Sequence, residues 1–151
     1  MKVGKICERR PVTVGAEVAL TAAARVMREK HIGYLVVVAP GLSSDQVKPV
    51  GVLTDRDIVV TVVAKETDAR ALTAGDIMNM QPVTVSESDS IEEALQVMRR
   101  MGVRRVPVVG GAGELAGVLS LDDVIDALAA EIANVAGAIR NERQIEGVLR
   151  P

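Results

Sequence analysis

Residues 51–58 read GVLTDRDI, and residues 117–124 read GVLSLDDV. The same short phrase occurs twice: a strand ending, a hydroxyl, two residues, an aspartate. Upstream of each copy the match continues. PVTV stands at 11–14 and again at 82–85, an offset of 71 that also pairs Gly4 with Gly75, Ile6 with Ile77, VMR at 26–28 with VMR at 97–99, and Val37-Val38 with Val108-Val109. The offset then falls to 66, because the first copy carries five extra residues in APGLSSDQVKP (39–49), and the register resumes at Gly51 and Gly117. The chain is two copies of one unit.

Each copy reads alike. PVTV is a short β-branched strand led by proline, which cannot donate to a ladder and so belongs at a strand start. A helix follows with helical apolar spacing: Leu20, Ala23, Ala24, Met27 in the first copy and Ile91, Ala94, Leu95, Met98 in the second. Ser90 and Glu93 open the second of these as a capping box. Two strands come next, YLVVV (34–38) then VGVL (50–53), and VPVV (106–109) then AGVL (116–119), with GGAGE (110–114) as the second copy's hairpin turn. A further helix starts near Asp55 and near Leu121. The order β-α-β-β-α, twice, places the fold in the mixed α/β (α+β) class. One unit exposes a sheet face too large to cover alone, so the two are expected to pack sheet against sheet, helices outside, with a cleft along the seam. Repeat 1 with its lead-in spans 1–72, repeat 2 spans 73–130, and a helical extension and tail span 131–151.

Composition narrows the function classes. The 151 residues are 48% hydrophobic, enough to bury a core, yet Tyr34 is the only aromatic residue. Val, Ile, Leu, Met and Ala must build the interior, and the stacking platforms of single-strand nucleic-acid binders are missing. A formal net charge of −2 gives no footprint for nucleic acid or an anionic membrane, and the basic groups ERR (8–10) and KH (30–31) read as solvated surface. Cys7 and His31 are the only cysteine and histidine. That argues against an internal disulfide, against four-ligand zinc and against an activated thiol, and fits a reducing compartment. The start MKVGKICERRPV has no apolar signal core, and the longest strongly apolar run, IVVTVVA (58–64), is too short to span a bilayer. A cytoplasmic protein is expected.

The ordered set of features resembles the tandem CBS-domain, or Bateman, module over nearly the whole chain. The lead-ins GKIC (4–7) and GDIM (75–78), the PVTV strands, the second strands and the closing G-hydrophobic-hydrophobic-[S/T]-x-x-D all match, in order and doubled. The resemblance implies a pseudo-two-fold pair that is not itself an enzyme. It implies a regulatory module that binds adenosine ligands (AMP, ADP, ATP or S-adenosylmethionine) between the repeats, pairs into a homodimer and modulates a protein effector in trans. No cofactor is required, although magnesium could enter with a triphosphate.

Thr54-x-x-Asp57 and Ser120-x-x-Asp123 have a plain reading as helix caps, worth about 1 kcal/mol. The resemblance adds a second. A carboxylate can accept a ribose cis-diol, and the adjacent helix start suits a phosphate. By that resemblance Asp57 and Asp123 hold ribose, with Thr54 and Ser120 as hydroxyl partners. Arg56 could reach a phosphate, whereas Asp122 stands at its place in repeat 2. The Asp57 site is therefore ranked higher for anions, with Arg104 and Arg105 as a source, from across the seam, of the positive charge missing at the Asp123 site. Val12-Thr13 and Val83-Thr84 match the base-contacting strand, Leu35-Val36 and Val106-Pro107 the opposite wall, and Tyr34 could stack on a base.

From Leu121 the apolar positions run 121, 125, 128, 132, 135 and 139, a seam nearly three heptads long. It outlasts the repeat it would cover, which favours a helix crossing to a dimer partner, with an end or fraying near Gly147. Two functions remain open: a sensor of adenosine ligands, or a ligand-independent dimeric scaffold whose clefts are vestigial.

Overall fold

The computed structural model describes residues 1–40 and 46–149. Part of the loop expected within APGLSSDQVKP lies outside the described residues. Strands β1 (Thr13–Gly15), β2 (Tyr34–Pro40), β3 (Val47–Thr54) and β4 (Asn79–Met80) form one sheet in that order. Strands β5 (Val85–Ser86), β6 (Arg105–Val109) and β7 (Leu115–Ser120) form the other. In both, the first strand runs parallel to the second and the second antiparallel to the third. The helices are α1 (Leu20–Lys30), α2 (Asp55–Ile58, continued by a π-helical turn over Val59–Val63), α3 (Ala74–Ile77), α4 (Ile91–Met101) and α5 (Leu121–Leu149). The doubled β-α-β-β-α order holds.

The first strand of each unit begins later than PVTV predicts, at Thr13 and at Val85. Pro11 and Pro82 have no N–H for a ladder, so pairing starts beyond them. Helix α4 carries the expected box: Ser90 Oγ accepts from Glu93 N at 3.2 Å, and Ser90 N donates to Glu93 Oε2 at 2.7 Å. Both repeat helices end on a left-handed residue, Gly102 at φ 66° after α4 and His31 at φ 54° after α1. Glycine adopts that conformation freely, whereas a histidine there is strained. The GGAGE turn closes by Gly110 N donating to Glu114 O at 2.9 Å.

Strand alternation builds the layers. Leu35 and Val37 of β2 point with Leu53 into a first core beneath α1, and Val106, Val108 and Leu119 point into a second beneath α4. Val36 and Pro107 face the other way on the same strands and are nonetheless fully buried. The two sheets meet through β3 and β7, in keeping with the expected sheet-on-sheet packing.

The lead-ins cross over. Residues 1–9, read as the start of repeat 1, dock on repeat 2: Val3 and Cys7 lie in the second core, and Glu8 exchanges hydrogen bonds with Val118 of β7 at 2.9 and 3.0 Å. At the same offset, Ala74, Ile77 and Met78 pack on the first core, and Asn79 pairs with Val52 of β3. Each core is therefore completed by the other repeat's lead-in. The glycine that begins each doubled phrase makes room for this at β7, where a Cβ on Gly117 would lie 2.5 Å from the Glu8 carbonyl oxygen and 3.0 Å from Cys7 Sγ.

Burial pushes the Cys7 thiol above its ordinary pKa, against the opposing pull of the Arg9 cation. The thiol is thus a reporter of lead-in docking. In native protein at pH 8 it is expected to react with a disulfide reagent at least tenfold more slowly than in urea. A full-speed reaction in native buffer would show the lead-in undocked.

Helix α5 runs through Gly147 to Leu149, the last described residue. No helix among the described residues is long and apolar enough to cross a membrane.

Candidate functional site

Both Ser/Thr-x-x-Asp phrases form the cap. Asp57 Oδ2 accepts from Thr54 N at 2.8 Å and Thr54 Oγ1 at 2.7 Å, while Asp57 N donates to Thr54 Oγ1 at 3.1 Å. Asp123 Oδ2 accepts from Ser120 N at 2.7 Å and Ser120 Oγ at 2.6 Å, and Asp123 N donates back to Ser120 Oγ at 3.2 Å. The hydroxyl proton expected to serve a ligand is thus donated to the aspartate in each box. Thr54 and Ser120 hold their carboxylates in place. Asn79 Nδ2, brought in by the crossed lead-in, adds a third donor to Asp57 Oδ2 at 3.2 Å. No hydrogen bond among the described residues involves Oδ1 of either aspartate.

Each box opens onto a cleft built from both repeats. The first holds about 610 Å³, and Thr54, Asp55, Arg56 and Asp57 line one side of it. The other side comes from repeat 2: Gln81, Pro82 and Val83 before β5, and the run Met101–Pro107 between α4 and β6. The second cleft, about 410 Å³, repeats the arrangement with exchanged roles. Ser120 and Asp123 face Arg10, Pro11 and Val12 before β1, and His31, Ile32, Gly33 and Tyr34 between α1 and β2. Both volumes are in the range of small-ligand sites. Tyr34 and Arg105 are pseudo-symmetry equivalents and line both clefts. Burial pushes the Tyr34 phenol well above its ordinary range, with Arg105 pulling the other way.

The clefts differ in charge. Arg56, Arg104 and Arg105 meet at the first, against Asp55 and Asp57. Among the described residues the ion pairs are Arg9–Glu87 and Arg70–Asp68, so none of these three guanidinium groups is ion-paired there. The second cleft sets Arg10 and Arg105 against Glu8 and Asp123, with His31 beside them. Arg104 and Arg105, expected to compensate the second site, both belong to the first, and Arg105 alone reaches the second.

Of the other residues singled out by sequence, Val83, Val106, Pro107 and Tyr34 line the first cleft, and Val12 and Tyr34 the second. Thr13, Thr84, Leu35 and Val36 line neither. Two adjacent strand residues face opposite ways, so Leu35 is taken into the core and Val36 is fully buried on the other face of the strand. Arg10, Glu8 and His31 were read as solvated surface and instead line the second cleft. The signal for them was the repeat: Arg10 sits 71 residues before Gln81, and His31 the same distance before Gly102, both at the first cleft.

A family model described as CBS domain matches residues 3–64 and 74–130. An uncharacterized protein of Methanopyrus kandleri is 31% identical over 125 residues, 83% of this chain but 61% of that protein's own length. Hypoxic response protein 1 of Mycobacterium tuberculosis is 39% identical over 111 residues, 74% of this chain and 73% of its own. Among solved structures, a CBS domain protein from Pyrobaculum aerophilum complexed with AMP superposes with a TM-score of 0.74 at 31% identity, covering 89% of this chain and 99% of that one.

Proposed function

This chain belongs to the CBS domain family, and from that premise we propose that it is a regulatory module taking an adenosine nucleotide, with the Asp57 cleft as the principal site. One observation carries the reading: three arginines with no ion pair among the described residues and a fixed carboxylate converge on a ligand-sized cleft whose walls come from both repeats. Asp57 Oδ1 accepts the ribose diol, Arg56, Arg104 and Arg105 take the phosphates, and the base lies against Pro82, Val83 and Pro107 with Tyr34 at its edge. Magnesium accompanies the ligand only if it is a triphosphate. A nucleotide held this way clamps one repeat to the other, and the change in seam geometry is what a protein effector reads from a homodimer of the module. Binding rather than bond-breaking fits the one thiol, which is buried in the second core and raised in pKa.

The scaffold reading also has an observation behind it: both aspartates already serve as caps of their own helix starts through Oδ2 without a ligand. Thermal unfolding of the full chain, followed by circular dichroism against AMP, ADP, ATP and adenosine, separates the two. A nucleotide at 100 times its Kd is expected to stabilise the fold by about 2.7 kcal/mol. Arg104→Ala is expected to weaken the phosphorylated ligands about tenfold and leave adenosine unchanged. Tyr34 emission should respond to binding. No shift with any adenosine ligand overturns the sensor reading in favour of the scaffold.

A further inference from the structure

Neither the fold nor the clefts use the apolar stripe of α5. Its first turn serves the second repeat, where Leu121 packs against that core and Val124 lies inside it, and Leu128 one turn later lines a groove with Ile91 and Leu95 of α4. Beyond the first turn the apolar positions stay open, with Ile125 62% exposed, Ile132 70%, Val135 61% and Ile139 49%. Ile132, Val135 and Ile139 also stand outside the segment that the family model matches.

The stripe has a heptad register. Isoleucine occupies one core position at 125, 132 and 139, and Leu128 and Val135 occupy the other. β-branched residues at the first with leucine at the second favour two parallel strands, a pattern that Leu128 meets and Val135 does not. Ala129, Ala136 and Ala138 flank the seam, leaving room for a second helix to approach. The next two core positions are Glu142 and Glu146, which end the seam at Ile139. The charge of the helix, six acids against two arginines, does not suit an anionic membrane. At these exposures the five seam side chains offer roughly 500 Å² per copy, so a pair hides about 1,000 Å², the lower bound of a specific interface.

We propose that α5 is a self-pairing helix, and that its partner is α5 of a second copy, parallel and in register from Ile125 to Ile139. This does not rest on the nucleotide reading. It does connect to the second cleft, because the Ser120–Asp123 box opens the helix that carries the seam.

A cysteine introduced at the seam tests this in the full chain. Under oxidised glutathione, Ile132→Cys is expected to form a disulfide-linked dimer, since equal core positions face each other in a parallel pair. Asn134→Cys, off the seam, is not, and buried Cys7 stays silent. In sedimentation equilibrium, Ile132→Asp with Ile139→Asp should weaken dimerisation at least tenfold while the circular dichroism melt stays cooperative. Three results overturn the proposal: a wild-type monomer, whether free or bound instead to phosphatidylglycerol vesicles; no covalent dimer at position 132; or unchanged assembly of the double aspartate variant.

Discussion

A chain that begins at Arg10 is expected to lose the order of its second repeat and keep that of its first. The lead-in it lacks supplies Val3, fully buried, and Cys7 to the second core, with Ile6 packed beside them. It also supplies backbone pairing: Val3 N to Asp89 O and Gly4 N to Glu87 O, both at 2.9 Å, and the two bonds between Glu8 and Val118. Exposing those side chains costs about 3–5 kcal/mol. That is a large share of what a domain of this size has to spend. Hydrogen exchange should show α4, β6 and β7 losing protection while α1, β2 and β3 retain most of theirs. The reverse pattern would show that the lead-in belongs energetically with its own repeat, and uniform loss that the two repeats open as one unit. Gly117→Ala is the point version, because its Cβ would press on the Glu8 carbonyl.

Asp57→Ala and Asp76→Ala should behave differently toward nucleotide although both break a capping box of one design. Asp76 closes α3 through Thr73 N and Thr73 Oγ1 at 2.7 and 2.9 Å, bonds that hold its carboxyl below the ordinary aspartate range. It lines neither cleft. Removing Asp57 is expected to cost about 1 kcal/mol of intrinsic stability for the cap and, separately, the whole of the ligand-induced gain of about 2.7 kcal/mol at saturating nucleotide. Asp76→Ala lowers the baseline and leaves that gain intact. Asp57→Asn, which keeps an acceptor for Thr54 N but loses the charge, should keep most of the baseline and still lose most of the gain. Equal nucleotide shifts in wild type, Asp57→Asn and Asp57→Ala would mean the ligand sits elsewhere.

The duplicated phrase and the offsets around it were enough to specify the doubled unit and its β-α-β-β-α order, while the hairpin strands run one to three residues beyond the stretches read from sequence. The same patterns specified the capping boxes at Thr54, Ser90 and Ser120 as well. Arg56, Asp57 and Asp123, singled out with the help of the family resemblance, line the two clefts. The motifs were less able to rank neighbours: Leu35 and Val36 match one motif, but only one side of a strand can face a given wall. Arg10 and His31 carried no local signal, since a charged residue beside a strand looks the same in solvent and in a cleft.

Helix periodicity, strand alternation and side-chain caps are interactions among residues a few positions apart, so they were written in the chain and legible there. The crossing of the lead-ins was not. Glu8 forms a single isolated bridge and Asn79 belongs to a strand of two residues, too short for any pattern to say which sheet they join. That choice was made by long-range packing, where Gly117 and Gly51 admit the other repeat's backbone and Val3 or Ala74 fills the hole left in a distant core. The same packing placed Arg104 and Arg105 opposite Asp57, and so turned two caps into the floors of two clefts.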